Sequence, residues 1–142
     1  MVEHRLSVSF TPTLQAPGRA RRVVEEFTAD LDPDTGDKLK LLASELVTNA
    51  VVHCDGPPDH VVTLEVVVGS DSVHMSVTDG GSGFERQGYP SVGDIGGWGL
   101  WLVDQLSSAW GTSSESDHRV WLDFALSPAA RSADRNPRAR EY

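Results

Sequence analysis

Three polar side chains recur at four-residue spacing within an otherwise apolar segment of this 142-residue chain. They are Glu45, Asn49 and His53, and residues 37–54 around them form a predicted helix that is apolar on nearly every side. The i, i+4, i+8 spacing puts the three side chains on one stripe of that helix. Burying a carboxylate or an amide without partners costs about 1–3 kcal/mol per group, and more for the charge. We therefore expect a protein network, or a polar ligand with its metal, to satisfy this stripe.

Two glycine-rich segments could approach such a ligand closely. The first reads DGGSG at residues 79–83 and directly follows a predicted strand; its glycines permit positive φ and close backbone approach. The second reads GGWGLWLV at residues 96–103 and leads into a predicted helix, whose first N–H groups are a ready anion site. It is neither a Walker A loop nor a dinucleotide fingerprint, because no Gly-Lys-Ser/Thr follows and no strand leads directly into it. Taken alone, each segment is equally compatible with an ordinary turn or an ordinary helix start.

The composition excludes several classes of protein. A net charge of −9 and a pI near 4.8 argue against a nucleic-acid-binding module. No apolar run reaches the ~18–20 residues that a membrane span needs, and no signal-peptide pattern follows Met1. Cys54 is the single cysteine, so an internal disulfide is excluded, as is usual in a reducing compartment. We expect a cytoplasmic protein that binds neither nucleic acid nor membrane.

The hydrophobic pattern predicts an α/β chain in which strands and helices interchange. Residues 1–126 are expected to form one domain, and residues 127–142, which hold two prolines and four arginines, a flexible C-terminal tail. The proline and glycine at residues 32–36 predict a turn before the central helix. The predicted strands are 4–10, 61–68, 73–78, 109–111 and 119–126, and the predicted helices are 16–31, 37–54 and 99–107.

The motifs follow one another in a recognisable order: Glu-x-x-x-Asn on a buried helix, Asp-x-Gly-x-Gly after a strand, and Gly-x-Gly-Leu at a later helix start. Over about residues 4–126 this order resembles the GHKL, or Bergerat-fold, superfamily of gyrase, the ninety-kilodalton heat-shock chaperone, histidine kinases and MutL. The wording SELVTNAVVH at residues 44–53 is especially similar to bacterial anti-sigma-factor serine/threonine kinases. The resemblance implies an α/β two-layer sandwich with a mixed, mostly antiparallel sheet, helices on one face, and ATP between the helices and a lid.

The resemblance also implies a role for each motif residue. Asn49 would hold Mg²⁺ through its amide oxygen, and Glu45 would be the general base. Asp79 would accept a hydrogen bond from the adenine amino group, which selects adenine over guanine. The remaining implied contacts are Gly81 and Gly83 beside the base, Gly97, Gly99 and Leu100 at the phosphates, and a mobile lid at residues 84–96.

The implied function is that of an ATP-dependent protein kinase that phosphorylates an anti-sigma-factor antagonist and sequesters a sigma factor. Two alternatives remain open: a nucleotide-sensing module that captures a partner without transferring phosphate, and, ranked lower because no phosphoacceptor-histidine hairpin precedes the fold, a detached histidine-kinase ATP domain. Many relatives have a Gly-Lys-Thr-like segment where this chain has Asp117-His118-Arg119. The threonine of that segment supports the adenine site, so we expect reduced nucleotide affinity. The first strand, as an edge, predicts homodimerisation.

Overall fold

The structure, a computed structural model, describes residues 3–52, 60–79, 97–113 and 118–127, and of residues 97–100 it describes the backbone alone. Within these ranges the chain forms five strands and three helices. In chain order they are β1 (His4–Phe10), α1 (Ala16–Phe27), α2 (Pro33–Val52), β2 (Val62–Val68), β3 (Ser72–Asp79), α3 (Gly97–Leu106), β4 (Ala109–Ser113) and β5 (His118–Ala125).

The strands form a single sheet in the order β1-β2-β3-β5-β4. All four pairings between the described strands are antiparallel, which confirms the α/β fold class with a mostly antiparallel sheet. β1 is an edge strand, as the sequence predicts, and β4 is the opposite edge. Side chains alternate between a buried and a more exposed side along β2 and β5, because successive residues of a strand point to opposite faces.

The core lies between the helices and one face of this sheet. Val24 of α1, Leu42 of α2 and Leu64 of β2 are all fully buried and belong to one hydrophobic cluster. α1 packs along α2, and α2 in turn contacts β2, β3 and α3. This arrangement makes α2 the central helix, and its near-continuous apolar surface is what such a position requires. None of the described helices is both long and apolar enough to cross a membrane.

The prediction of a turn at residues 32–36 is wrong, because residues 33–36 form the start of α2 and Asp32 precedes them as its cap. The Asp32 carboxylate accepts a hydrogen bond from the backbone N–H of Thr35 at 3.2 Å, which is the bond of a helix cap. Pro33 occupies the first helical position, where its missing N–H costs no hydrogen bond. The helix therefore starts four residues before the apolar pattern does.

α1 also differs from its predicted span, since it ends at Phe27 rather than near residue 31. Both the backbone N–H and the hydroxyl of Thr28 donate to the carbonyl oxygen of Val24, at 2.9 and 2.7 Å. The hydroxyl thus shares the carbonyl with the helical N–H, and such local side-chain bonds make threonine unfavourable in a helix interior. The shortened α1 leaves residues 28–31 for the turn that leads into α2.

Candidate functional site

Two of the three polar side chains on the central stripe of α2 are described, and their environments differ. Asn49 is buried, with 4% of its surface exposed, whereas Glu45 is partly exposed. The Nδ2 atom of Asn49 is buried and finds no acceptor in the described part of the chain. A buried amide without a partner is costly and is normally explained by a ligand or by water. His53, the third residue of the stripe, lies outside the described residues.

A positive charge from α1 lies beside the Glu45 carboxylate. The guanidinium Nη1 of Arg21 donates to the Ser44 hydroxyl oxygen at 2.7 Å, and Ser44 itself is buried. Burial raises the pKa of Glu45, and the charge of Arg21 lowers it in part. The carboxylate is thus a stronger base than a fully solvated one, while Arg21 limits the cost of holding its charge there.

Arg21 and Ser44 were not predicted from the sequence. Helical spacing puts residue 21 next to the core positions Ala20 and Val24. The sequence alone could therefore have placed Arg21 at the edge of the buried face of α1. Which helix faces that edge depends on how α1 and α2 pack, and no local pattern encodes this.

At the end of β3, a second carboxylate is buried in the sheet. Asp79 has 4% of its surface exposed, and its direct partner on β5 is His118, at 2%. Because the two residues oppose each other in an antiparallel pair and both are buried, their side chains share the core-facing side of the sheet. Arg119 points to the other side, where its Nη2 donates to the Ser76 hydroxyl at 3.3 Å. His118 is therefore the residue next to Asp79.

The packing of α2 places these groups on neighbouring elements. α2, which carries Glu45 and Asn49, contacts both β3, which ends at Asp79, and α3, which begins at Gly97. The predicted glycine-led helix start is confirmed for the backbone, two residues earlier than expected. Such a site can combine a proton acceptor, a buried amide, a buried carboxylate and the free N–H groups of a helix N-terminus.

Several predicted site residues cannot be placed by this geometry. Gly81, Gly83 and residues 84–96 lie outside the described residues, as does the tail from residue 128 onward. Gly97, Gly99 and Leu100 are described as helical backbone only.

Comparison with known proteins identifies the family of this chain. The histidine kinase-like ATPase domain family matches residues 10–124. The anti-sigma F factor of Anoxybacillus flavithermus is 33% identical over 88 residues, which cover 60% of this chain and 60% of that protein. That of Clostridium botulinum is 34% identical over 88 residues, which cover 60% of this chain and 62% of that protein. The chain thus spans about 60% of the length of the curated relatives that it matches.

A solved structure supports the fold. The histidine kinase domain of a blue-light-activated histidine kinase from Erythrobacter litoralis superposes with a TM-score of 0.57 at 22% identity, over 84% of this chain and 64% of that one. At this identity the likeness shows the fold alone. The family match covers most of the chain, and the ordered motifs, the antiparallel sheet and the packing of α2 agree with it. The chain belongs to the family of histidine kinase-like ATPase domains.

Proposed function

We propose that this protein is an ATP-dependent protein serine/threonine kinase of the anti-sigma-factor type, which phosphorylates an anti-sigma-factor antagonist and sequesters a sigma factor. The observation that carries the proposal is the pairing of two side chains one helical turn apart on α2. Glu45 is a carboxylate with a raised pKa, and Asn49 is a buried amide whose nitrogen has no acceptor among the described residues. The class of partner is taken from the names of the similar anti-sigma F factors.

The described residues fit a nucleotide bound with Mg²⁺. They contain no group of three His, Cys, Asp or Glu side chains that could hold a metal ion by themselves. Mg²⁺ typically keeps several waters and takes only one or two protein ligands together with substrate phosphates, so one amide oxygen from Asn49 is a suitable contribution. An amide can turn either its oxygen or its nitrogen toward a ligand. When the ligand is absent, an amide that makes such a contact is left buried and without a partner.

The remaining ligand contacts follow from the positions of the other motifs. Asp79, buried at the end of β3, would accept from the adenine amino group. Gly81 and Gly83 would let the backbone pass beside the base. Gly97, Gly99 and Leu100 would present the first N–H groups of α3 to the phosphates.

In the proposed reaction Glu45 accepts the proton of the incoming serine or threonine hydroxyl. The hydroxyl oxygen forms a bond to the γ-phosphorus, and the bond from that phosphorus to the β–γ bridging oxygen breaks. The electron pair of the broken bond leaves with ADP, and the proton stays on the carboxyl group of Glu45. A base with a raised pKa is suited to this step, and general-base assistance is typically worth about 10²–10⁴-fold in rate.

The test measures ATP affinity by calorimetry and phosphoryl transfer from labelled ATP to candidate antagonists of the same genome. Glu45→Gln should keep ATP affinity and lose about 10²–10⁴-fold in transfer rate. Asn49→Ala should instead lose the Mg²⁺-dependent part of ATP binding, because it removes the proposed metal contact. Glu26→Gln, which changes an exposed carboxylate on α1, is the matched control and should behave as the wild type.

A nucleotide-sensing module without transferase activity is the competing function, and the residue that favours it is His118. Where the resemblance implies a Gly-Lys-Thr-like segment that supports adenine, this chain has Asp117-His118-Arg119, and the imidazole of His118 lies directly opposite Asp79. In that case the wild type would bind ATP and capture a sigma factor but yield no phosphorylated antagonist. Normal transfer by a well-folded Glu45→Gln protein would end the assignment of Glu45 as the base.

A further inference from the structure

One hydrogen bond joins α1 to α2 next to the candidate base. The guanidinium Nη1 of Arg21 donates to the Ser44 hydroxyl oxygen at 2.7 Å, although the two residues are 23 positions apart. Ser44 is buried, with 5% of its surface exposed, whereas Arg21 is an exposed residue. Holding a long exposed side chain in one position costs conformational entropy. The buried hydroxyl is therefore the fixed end of the bond, and it sets where the guanidinium lies.

The guanidinium that Ser44 holds also acts on the neighbouring Glu45. Burial raises the pKa of that carboxyl group, and the positive charge of Arg21 lowers it in part. Consecutive residues of a helix point about 100° apart, so the Ser44 and Glu45 side chains leave α2 in different directions. A guanidinium spreads its charge over a planar group with several N–H donors. One nitrogen can therefore bond to Ser44 while the charge still reaches Glu45.

A carboxylate that could compete for Arg21 has another partner. Glu25 lies four residues after Arg21 on α1, which is a spacing at which oppositely charged side chains pair on a helix. Its Oε2 atom instead lies 3.7 Å from Nζ of Lys40, which is also 3.3 Å from Oδ1 of Asp37. These ion pairs draw Glu25 toward α2. The arginine is bound by a neutral hydroxyl, which holds the guanidinium without neutralising its charge.

We propose that Ser44 is a positioning residue for phosphoryl transfer, because its buried hydroxyl holds the Arg21 guanidinium beside the Glu45 carboxylate. The inference rests on the proposed function, in which Glu45 is the base. A base must carry its negative charge when the acceptor hydroxyl arrives, and a fixed positive neighbour favours that charged form. A serine suits this task, since a carboxylate at the same position would neutralise the guanidinium. Ser44 touches neither nucleotide nor acceptor in this proposal and acts only through Arg21.

Removing the hydroxyl should slow transfer without weakening nucleotide binding. In Ser44→Ala the guanidinium loses its fixed partner and turns into solvent or toward Glu25, so Glu45 loses the charge beside it. We expect transfer from saturating labelled ATP to the antagonist found in the assay above to slow by roughly two- to tenfold, the net worth of a typical hydrogen bond. ATP affinity by calorimetry should not change. Ser44→Thr keeps the hydroxyl and should keep the rate.

A double-mutant cycle tests whether Ser44 acts through Arg21. If it does, Arg21→Gln should slow transfer at least as much as Ser44→Ala, and the double variant should be no slower than Arg21→Gln alone. Two independent contributions would instead multiply, because their free energies would add. A double variant whose loss of rate equals the product of the two single losses would therefore contradict the proposal.

A measurement on the protein alone tests the contact without nucleotide or acceptor. A guanidinium held by a hydrogen bond rotates slowly, so the Nη resonances of Arg21 should be resolved in ¹⁵N NMR spectra of the wild type and averaged in Ser44→Ala. Arg21→Gln assigns these resonances. Ser76→Ala is the matched control, because Ser76 is also buried and accepts from Nη2 of Arg119 at 3.3 Å. It should release Arg119 but leave the Arg21 signals and the transfer rate unchanged.

The outcomes separate this inference from the proposed function. Melting temperatures check that each variant is folded; if Ser44→Ala is not, Ser44→Cys takes its place, since a thiol sulfur is only a weak acceptor. A slow Glu45→Gln protein together with a Ser44→Ala protein of normal rate would overturn this inference and leave the proposed function standing. Resolved Arg21 signals in Ser44→Ala would overturn it as well. Normal transfer by Glu45→Gln would instead remove the assignment of the base, and this inference with it.

Discussion

Asp79 and His118 lie directly opposite each other on β3 and β5, and both are buried on the core-facing side of the sheet. Directly opposed residues of an antiparallel pair have Cβ atoms about 5 Å apart, so the carboxylate and the imidazole share one small volume. In the proposed site, the wall against which adenine would lie contains an imidazole next to the carboxylate that would select the base. Two predictions about nucleotide binding depend on this pair.

We expect Asp79→Asn to weaken ATP binding strongly and to remove the preference for ATP over GTP. A carboxylate can accept a hydrogen bond from an amino group with either oxygen, whereas an amide offers one acceptor and one donor. Calorimetric titration with both nucleotides measures the two effects together. Equal affinity of the wild type for ATP and GTP would contradict the adenine assignment.

We expect His118→Thr to tighten ATP binding by roughly fivefold. A threonine hydroxyl is smaller than an imidazole and adds one neutral hydrogen bond, which is worth about 1 kcal/mol. Arg119→Thr is the matched control, since Arg119 points to the side of the sheet away from the core and should not affect the nucleotide. If His118→Thr weakened binding while its melting temperature stayed unchanged, the imidazole itself would be a ligand contact.

We expect the rate of phosphoryl transfer to rise with pH through the raised pKa of Glu45 and then to level off, because the base acts as the carboxylate. Arg21 lowers that pKa in part, so Arg21→Gln should move the rising limb to higher pH. Arg22→Gln, which alters the next exposed arginine on α1, should leave the profile in place. A profile with no shift in Arg21→Gln would show that the guanidinium does not act on Glu45.

We expect Glu45→Gln to be at least as stable as the wild type near neutral pH. The pKa of Glu45 is raised in the folded protein, so folding takes up protons and stability falls as pH rises from the unfolded pKa through the folded one. Below the ordinary carboxyl pKa of about 4.3 both states are protonated and the contribution vanishes. Urea unfolding of the two proteins at neutral and at acid pH checks the sign: the advantage of the variant should be present at neutral pH and absent below the ordinary value.

The local pattern of the sequence was sufficient for most of the secondary structure. β1 has the predicted bounds, because an alternation of apolar and polar residues is a property of neighbouring residues alone. The ordered motifs around Glu45, Asp79 and Gly97 were likewise sufficient for the fold class and the family. The start of α2 was missed because Pro33 is typical both of a turn and of a first helical position, and the Asp32 cap decides between them.

The tertiary structure decided which distant residues meet. The register of β3 against β5 puts His118 rather than Arg119 beside Asp79, because a shift of one residue would exchange the two faces of the strand. The packing of α1 on α2 brings Arg21 to Ser44 and Glu45 across more than twenty residues of sequence. The Trp121 ring likewise lies against Gly111 of one strand and stacks on His74 of another. Periodicity along the chain determines which side of an element is buried, but only the pairing of elements determines what each side faces.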